Sequence, residues 1–287
     1  MDTKGLDLFG LGKLSDNTLE LIKIAYPDLL QPSVKNIGSA LGTVTEYLNV
    51  PLLKLRLNNE TAKLTFKRNM DLLKDKLDSH DESEIGQASV EIGIPVIENL
   101  MITTNVEIAN LFTTLLTNAS LIDRSKYAHP NFINTIKSIS ADEALVLKCL
   151  WENRDPSEIK NSPIIYVRYI QALLGGTDGV PMAPECSNIN DLVSMATPEN
   201  NVFYFYNLLQ LGLVSLGEYY DNEKEDEYET LIRKSVSTRR EVEKKIEEHN
   251  LSESDRTRRF HLVAIKGIVH LTSFGERFVE ACFEHDN

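Results

Sequence analysis

"NLLQLGLVSLGEYY" spans Asn207–Tyr220, and "GIVHLTSFGERFVEAC" spans Gly267–Cys282. In the first stretch a leucine-rich helical run stops near Gly212 and passes into the strand-like "LVSLGEYY". In the second, "GIVHLTSFG" reads as a returning strand and the remainder as a closing helix. Helix, strand, strand, helix is the second half of a winged helix, a fold usually met on DNA. The two stretches therefore predict a fold and raise the question of whether this one touches DNA.

Between them lies "DNEKEDEYETLIRKSVSTRREVEKKIEEHNLSESDRTRRF", densely charged and sparse in apolar residues. It reads as a long, exposed helical insertion, residues 221–260, at the tip of the wing. Its basic residues include Arg233, Arg239, Arg240, Lys244 and Lys245. The plainer reading is a solvated helix laced with Glu–Lys and Glu–Arg pairs, each worth only about 0.2–0.5 kcal/mol. The functional reading is a projecting surface for protein contact and self-association.

Upstream, most segments read as helix. "DNTLELIKIAYPDLLQPSVKNIGSALGTVTEYL" carries helical periodicity broken at Pro27 and Pro32, with Pro32 expected to open a helix that ends near Asn49. "NNETAKLTFKRNMDLLKDKLDSH" reads as a basic amphipathic helix. Leu64, Leu72 and Leu77 are expected on its apolar face, with Lys67, Arg68, Lys74 and Lys76 toward the other. "SADE", Ser140 to Glu143, is a capping box before the apolar run "ALVLKCLW". Part of "SPIIYVRYIQALL" reads as strand and "GGTDGVPMAPECSN" as loop. Thr197, with Pro198 and Glu199, is expected to cap the helix that runs to Gly212. The fold class is thus mainly α. A helical region, residues 1–138, precedes a winged-helix-like domain, residues 139–287, with a small β-sheet and the helical insertion in its wing.

Composition narrows the function. The chain has 287 residues and a formal net charge of −13. That balance opposes non-specific nucleic-acid binding, which depends on cations neutralising phosphates. No apolar run approaches the roughly 20 residues needed to span a bilayer, and the N-terminus shows no signal-peptide pattern. The expected address is cytoplasmic. Cys149, Cys186 and Cys282 are far apart and form no C-x-x-C pair, so neither a disulfide framework nor a zinc site is expected. No cofactor or metal motif stands out: "GLGK" lacks the P-loop spacing, and no H-E-x-x-H occurs.

Several stretches together resemble the bacterial abortive-infection alpha family, linked to phage defence. They are "YPDLLQPSVKNIGSALGTV", "IGIPVIENLM", "VEIANLFTTLLTNA", "HPNFINTIKSISADEALVL", "NLLQLGLV" and "VHLTSFGERFVEAC". They run in this order from Tyr26 to Cys282. The resemblance implies a role in limiting phage growth in infected cells and supplies no catalytic residues. The insertion between Asp221 and Arg259 is longer than the resemblance leads one to expect.

Four constellations bear on mechanism. From Tyr169 through Glu223 there is no Lys or Arg, so the winged-helix surface is not built to meet phosphates. "RSKYAH", Arg124 to His129, has the R-x-x-x-x-H spacing of a superfamily of helical ribonucleases common in phage defence. In such a site arginine stabilises phosphate charge and histidine moves protons. Against it, "RTRRFH", Arg256 to His261, matches equally well, and Pro130 pushes His129 out of helical geometry. "KNIGSALGTVTEYL" spaces Gly38 and Gly42 for close helix packing, within the chain or against a partner, and is too short to cross a membrane. The basic helix Lys63–Lys76 and the basic residues of the insertion are the nucleic-acid candidates.

The expectation is a non-enzymatic defence protein, a sensor or adaptor acting through contacts with phage or co-encoded proteins, and a homo-oligomer. The contact candidates are Gly38, Gly42 and the insertion. The alternatives are a ribonuclease-type toxin using Arg124 and His129, and a nucleic-acid-binding regulator.

Overall fold

The computed structural model describes residues 16–25, 34–154, 162–218 and 222–284. The helix start expected at Pro32 lies outside them. The protein is mainly α-helical with a small antiparallel sheet. It divides into two units, one running to Ala141 and resuming at Arg277, the other Asp142–Glu276.

Among the described residues the first unit is built of helices, α1 (Asp16–Ala25), α2 (Val34–Tyr47), α3 (Val50–Arg56), α4 (Glu60–Asp78), α5 (Val90–Leu100), α6 (Val106–Ser120) and α7 (Asn131–Ser138), with one isolated antiparallel bridge between Ile85 and Leu121. At its centre is α6, buried on every side from Leu111 to Ser120. A helix buried all round must satisfy its polar groups internally. Thr113 Oγ1 donates to the Ala109 carbonyl at 3.0 Å, Ser120 Oγ to Leu116 at 2.8 Å, and Asn118 Nδ2 to Ala281 at 2.9 Å. Asn105 and Asn59 cap α6 and α4 through their side-chain oxygens.

α4 departs from its expected face. Its buried residues are Phe66, Asn69, Met70, Leu73 and Leu77, while Leu64 is exposed. Asn69 explains the shift. Its amide donates to the carbonyls of Leu100 at 2.7 Å and Thr103 at 2.8 Å, tying α4 to the end of α5. Lys76, expected on the polar side, flanks this face and has a side chain only 11% exposed.

The second unit holds most of α8 (Ala141–Glu152), then β1 (Ile165–Leu173), β2 (Gly179–Pro181), β3 (Cys186–Ser187), α9 (Ile189–Leu192), α10 (Asn201–Gln210) and β4 (Val214–Gly217). After these come α11 (Glu225–Lys234), α12 (Val236–Ser252), β5 (Phe260–Leu271) and the start of α13 (Ser273–Cys282). The strands run in the order β2-β1-β5-β4, all antiparallel, and β3 also pairs with β1. The longest ladder runs from Ile165 opposite Ile268 to Leu173 opposite Phe260. β4 joins where Val214 faces Leu271. β5 therefore begins at Phe260, seven residues before the "GIVHL" that betrays it.

The insertion is not one long exposed helix. It is two helices, α11 and α12, separated at Ser235. Tyr228, Leu231, Val242 and Ile246 form a buried cluster with Ile165, Val167 and Tyr169 of β1 and Ile268 of β5. The period-2 face of β1 meets the helical-period face of the insertion. Few apolar residues suffice because the β-branched strand supplies the rest of the surface.

Candidate functional site

In the second unit, the two acids that open α8 hold α10 in place. Asp142 is buried and accepts four hydrogen bonds: from the Ala196 amide at 2.8 Å, the Thr197 amide at 3.0 Å, the Thr197 hydroxyl at 3.2 Å and the Tyr204 hydroxyl at 3.1 Å. Glu143, also buried, accepts from Asn207 Nδ2 at 2.7 Å. Burial pushes the Asp142 carboxyl up, but the four donors outweigh it and hold the group below the usual carboxylate range. These carboxylates thus reach beyond their own helix, to the segment before α10 and to α10 itself. Thr197, expected to cap the helix after it, makes no capping hydrogen bond and instead turns its hydroxyl to Asp142.

The opposite face of α10 is open. Phe203 is 67% exposed, and Tyr206 is exposed beside it on the next turn. The Tyr206 hydroxyl donates to Glu185, which is buried and also takes Arg168 Nε at 2.8 Å. Arg168 Nη1 further approaches Glu218 at 3.8 Å. The last cation before the acidic stretch is therefore neutralised by its own unit. α10 presents two exposed aromatic rings, one of them on a buried carboxylate, and itself carries no Lys or Arg.

The predicted site residues fall in different surroundings. Gly38 is buried within the first unit, and a side chain on Gly42 would meet Gln87 Nε2 at 2.8 Å. A closer fit than that at Gly42 lies elsewhere: a Cβ on Gly93 of α5 would lie 2.2 Å from Val44 Cγ2 of α2. His129 Nδ1 accepts from the Asn131 amide at 3.1 Å, capping α7, and its ring packs on Phe132. Arg124 stands before a 3-10 turn, Ser125–Tyr127, and lines a cavity that does not include His129 among its residues. Arginine and histidine are not presented on one helix face. In the insertion, Arg239 pairs with Glu243 at 2.8 Å, Lys245 with Glu241 at 2.7 Å and Lys244 with Glu248 at 3.8 Å. Arg233 donates to Thr230 at 2.9 Å, and Arg240 is exposed.

The cavity beside Arg124, of about 520 Å³, was not foreseen. Lys76 and His80 reach it from the end of α4, Thr117 from α6, and Glu284 from beyond α13. Lys76 pairs with Glu284, and burial pushes its ammonium down to about 8. The one sequence signal was a lysine flanking Leu73 and Leu77, at the border of an apolar face.

Among the described residues no three His, Cys, Asp or Glu gather to hold a metal ion, and no helix is long and apolar enough to cross a membrane. Burial raises the thiols of Cys149 and Cys186 and raises that of Cys282 well above its ordinary value. None has the lowered pKa of a reactive cysteine.

A family model described as abortive infection alpha matches residues 58–282. No curated protein and no solved structure matches the chain.

Proposed function

The chain belongs to the abortive infection alpha family, and from that premise we propose that it is a phage-defence protein acting as a sensor or adaptor through protein contact at the outer face of α10. The observation that carries this is the exposure of Phe203 and Tyr206 on a helix without Lys or Arg, beside an Arg168 already bound by Glu185, which Tyr206 also contacts. Such a surface repels phosphates, and its aromatic centre fits a protein hot spot. Glu199, Asp191 and Glu218 are exposed in the same acidic stretch. The partner it suits is a protein with an apolar patch rimmed by basic residues.

In this reading the second unit is a winged helix whose wing has been rebuilt. The succession α8, β1, α9, α10, β4, β5 and the strand order β1-β5-β4 support it. So does the position of α11 and α12, between the two strands that would form the wing, and folded back on the sheet. α10 occupies the place of a recognition helix but lacks its chemistry.

The test is a phage challenge of a bacterial host expressing the chain, at low and high multiplicity. The wild type should lower plaque numbers, and Phe203→Glu should abolish protection while leaving the thermal melt unchanged. Protection that survives Phe203→Glu would overturn the docking site. Salt-sensitive binding of duplex DNA by the purified chain would instead favour the regulator.

A further inference from the structure

The cavity of the first unit, about 520 Å³, falls in the size range of small-molecule sites. Its chemistry is one-sided. Lys76 Nζ is buried and makes no hydrogen bond; its ion-pair partner among the described residues is Glu284. Thr117, 4% exposed, has a hydroxyl with no hydrogen-bond partner. Arg124 lines the same space, and its guanidinium pairs with no described residue. An ammonium and a guanidinium are donors only, and a lone buried hydroxyl donates readily. Buried donors in native proteins are nearly always satisfied. Among these cavity-lining residues, Thr117 and Arg124 thus lack a side-chain acceptor among the described residues, and the anionic partner of Lys76 is the exposed Glu284, which a stronger anion can replace.

We propose that this cavity binds a phosphorylated small molecule of about mononucleotide size, its phosphate held by Lys76, Thr117 and Arg124. A phosphate monoester offers three strong acceptor oxygens, matched to an ammonium, a hydroxyl and a bidentate guanidinium. The remaining volume takes the organic part, with His80 at its wall. Glu284 is 68% exposed and occupies the Lys76 ammonium without being locked in place. It is a carboxylate that an incoming phosphate displaces. Asp75 also lines the cavity and is exposed, so water screens its repulsion. Burial lowers the basicity of Lys76, which a dianionic ligand would offset. This site is independent of the docking face of α10.

The experiment is calorimetric titration of the full chain at low ionic strength and neutral pH with inorganic phosphate, AMP and adenosine. AMP is expected to bind and adenosine not to. Tighter binding of AMP than of phosphate supports the proposal; phosphate binding as tightly as AMP counts against the mononucleotide-sized occupant. Lys76→Met and Arg124→Gln should each weaken binding about tenfold or more, as loss of a charge-assisted hydrogen bond does. Glu284→Gln should tighten it. Arg124 is half-buried and Glu284 exposed, so these two variants keep the test open if Lys76→Met fails to fold. Three results would overturn the proposal: no binding of either phosphate probe by the wild type and by Glu284→Gln, equal affinity in Arg124→Gln, or adenosine binding as tightly as AMP.

Discussion

The Tyr228 hydroxyl of α11 donates to the backbone carbonyl of Gly267 in β5 at 3.0 Å, with the tyrosine fully buried. That bond joins the insertion to the strand that follows it. Tyr169 of β1 makes the matching link, its hydroxyl 2.7 Å from Ser235 Oγ at the junction of α11 and α12. The insertion is therefore a layer of the second unit's core, and its removal is not a neutral trimming.

Substitutions at Tyr228 should separate packing from polarity. Tyr228→Phe keeps the ring and loses one hydrogen bond, leaving the Gly267 carbonyl short of that donor. It should cost about 1–2 kcal/mol. Tyr228→Ala empties a large buried site and should cost about 3–5 kcal/mol. Deleting residues 222–259 uncovers Ile165, Val167 and Tyr169 together and should leave a chain that aggregates or binds a hydrophobic dye. Urea midpoints of the two point variants and dye fluorescence of the deletion check this. A monodisperse deletion variant with unchanged cooperativity would show that the helical layer is dispensable.

Asp142 predicts a pH dependence. Its folded pKa lies below the unfolded value, so its contribution is fully present above the unfolded pKa, about 3.9. The contribution is lost as pH falls through the folded value. Wild-type stability should decline below about pH 4, where the carboxylate that gathers Ala196, Thr197 and Tyr204 becomes protonated. Asp142→Asn should cost about 2 kcal/mol at neutral pH, since an amide puts a donor where several donors already converge. Its stability should then vary less across the acid range. Urea unfolding from pH 3 to 7, followed by the fluorescence of the exposed tyrosines, compares the two. Parallel pH curves for wild type and variant would exclude Asp142 as the linked group.

Local signals made much of this architecture legible. The break after Ser140, the β-branched "IIYV" and the stop at Gly212 mark elements that depend on a few neighbouring residues. α8 begins at Ala141, β1 at Ile165, and Gly212 takes a positive φ of 69° at the end of α10. What escaped depends on residues distant in sequence. Tyr228 is one aromatic in an acidic run until β1 is placed under it. Asp142 looks like a helix-cap acid until Ala196 and Thr197 bring their amides to it from more than fifty residues away. Lys76 looks solvated by type, and only the packing of α4, α6 and the chain end encloses it. Arg124 and His129 show the converse. Their spacing suggests a joint role, but Pro130 is the N-cap of α7, and the His129 ring before it accepts from the first amide of that helix.

The glycines of α2 lead to a last prediction, because a Cβ on Gly93 of the neighbouring α5 would be crowded more closely than one on Gly42. A Cβ on Gly42 meets the amide end of Gln87, a flexible side chain that can rotate away. Gly42→Ala should change stability by less than about 0.5 kcal/mol, with the gain in helix propensity offsetting the displaced Gln87. A Cβ on Gly93 meets Val44 at 2.2 Å, and Val44 is fully buried with one stiff rotamer preference. Gly93→Ala must push α5 from α2 and should cost about 1–3 kcal/mol. Val44→Ala alone opens a cavity, so each single change should be destabilising. The double variant should recover part of the Gly93→Ala loss, because the added methyl occupies the space the valine vacates. Chemical denaturation of the four proteins measures the coupling. A coupling energy near zero would mean that α2 and α5 are not held at this point.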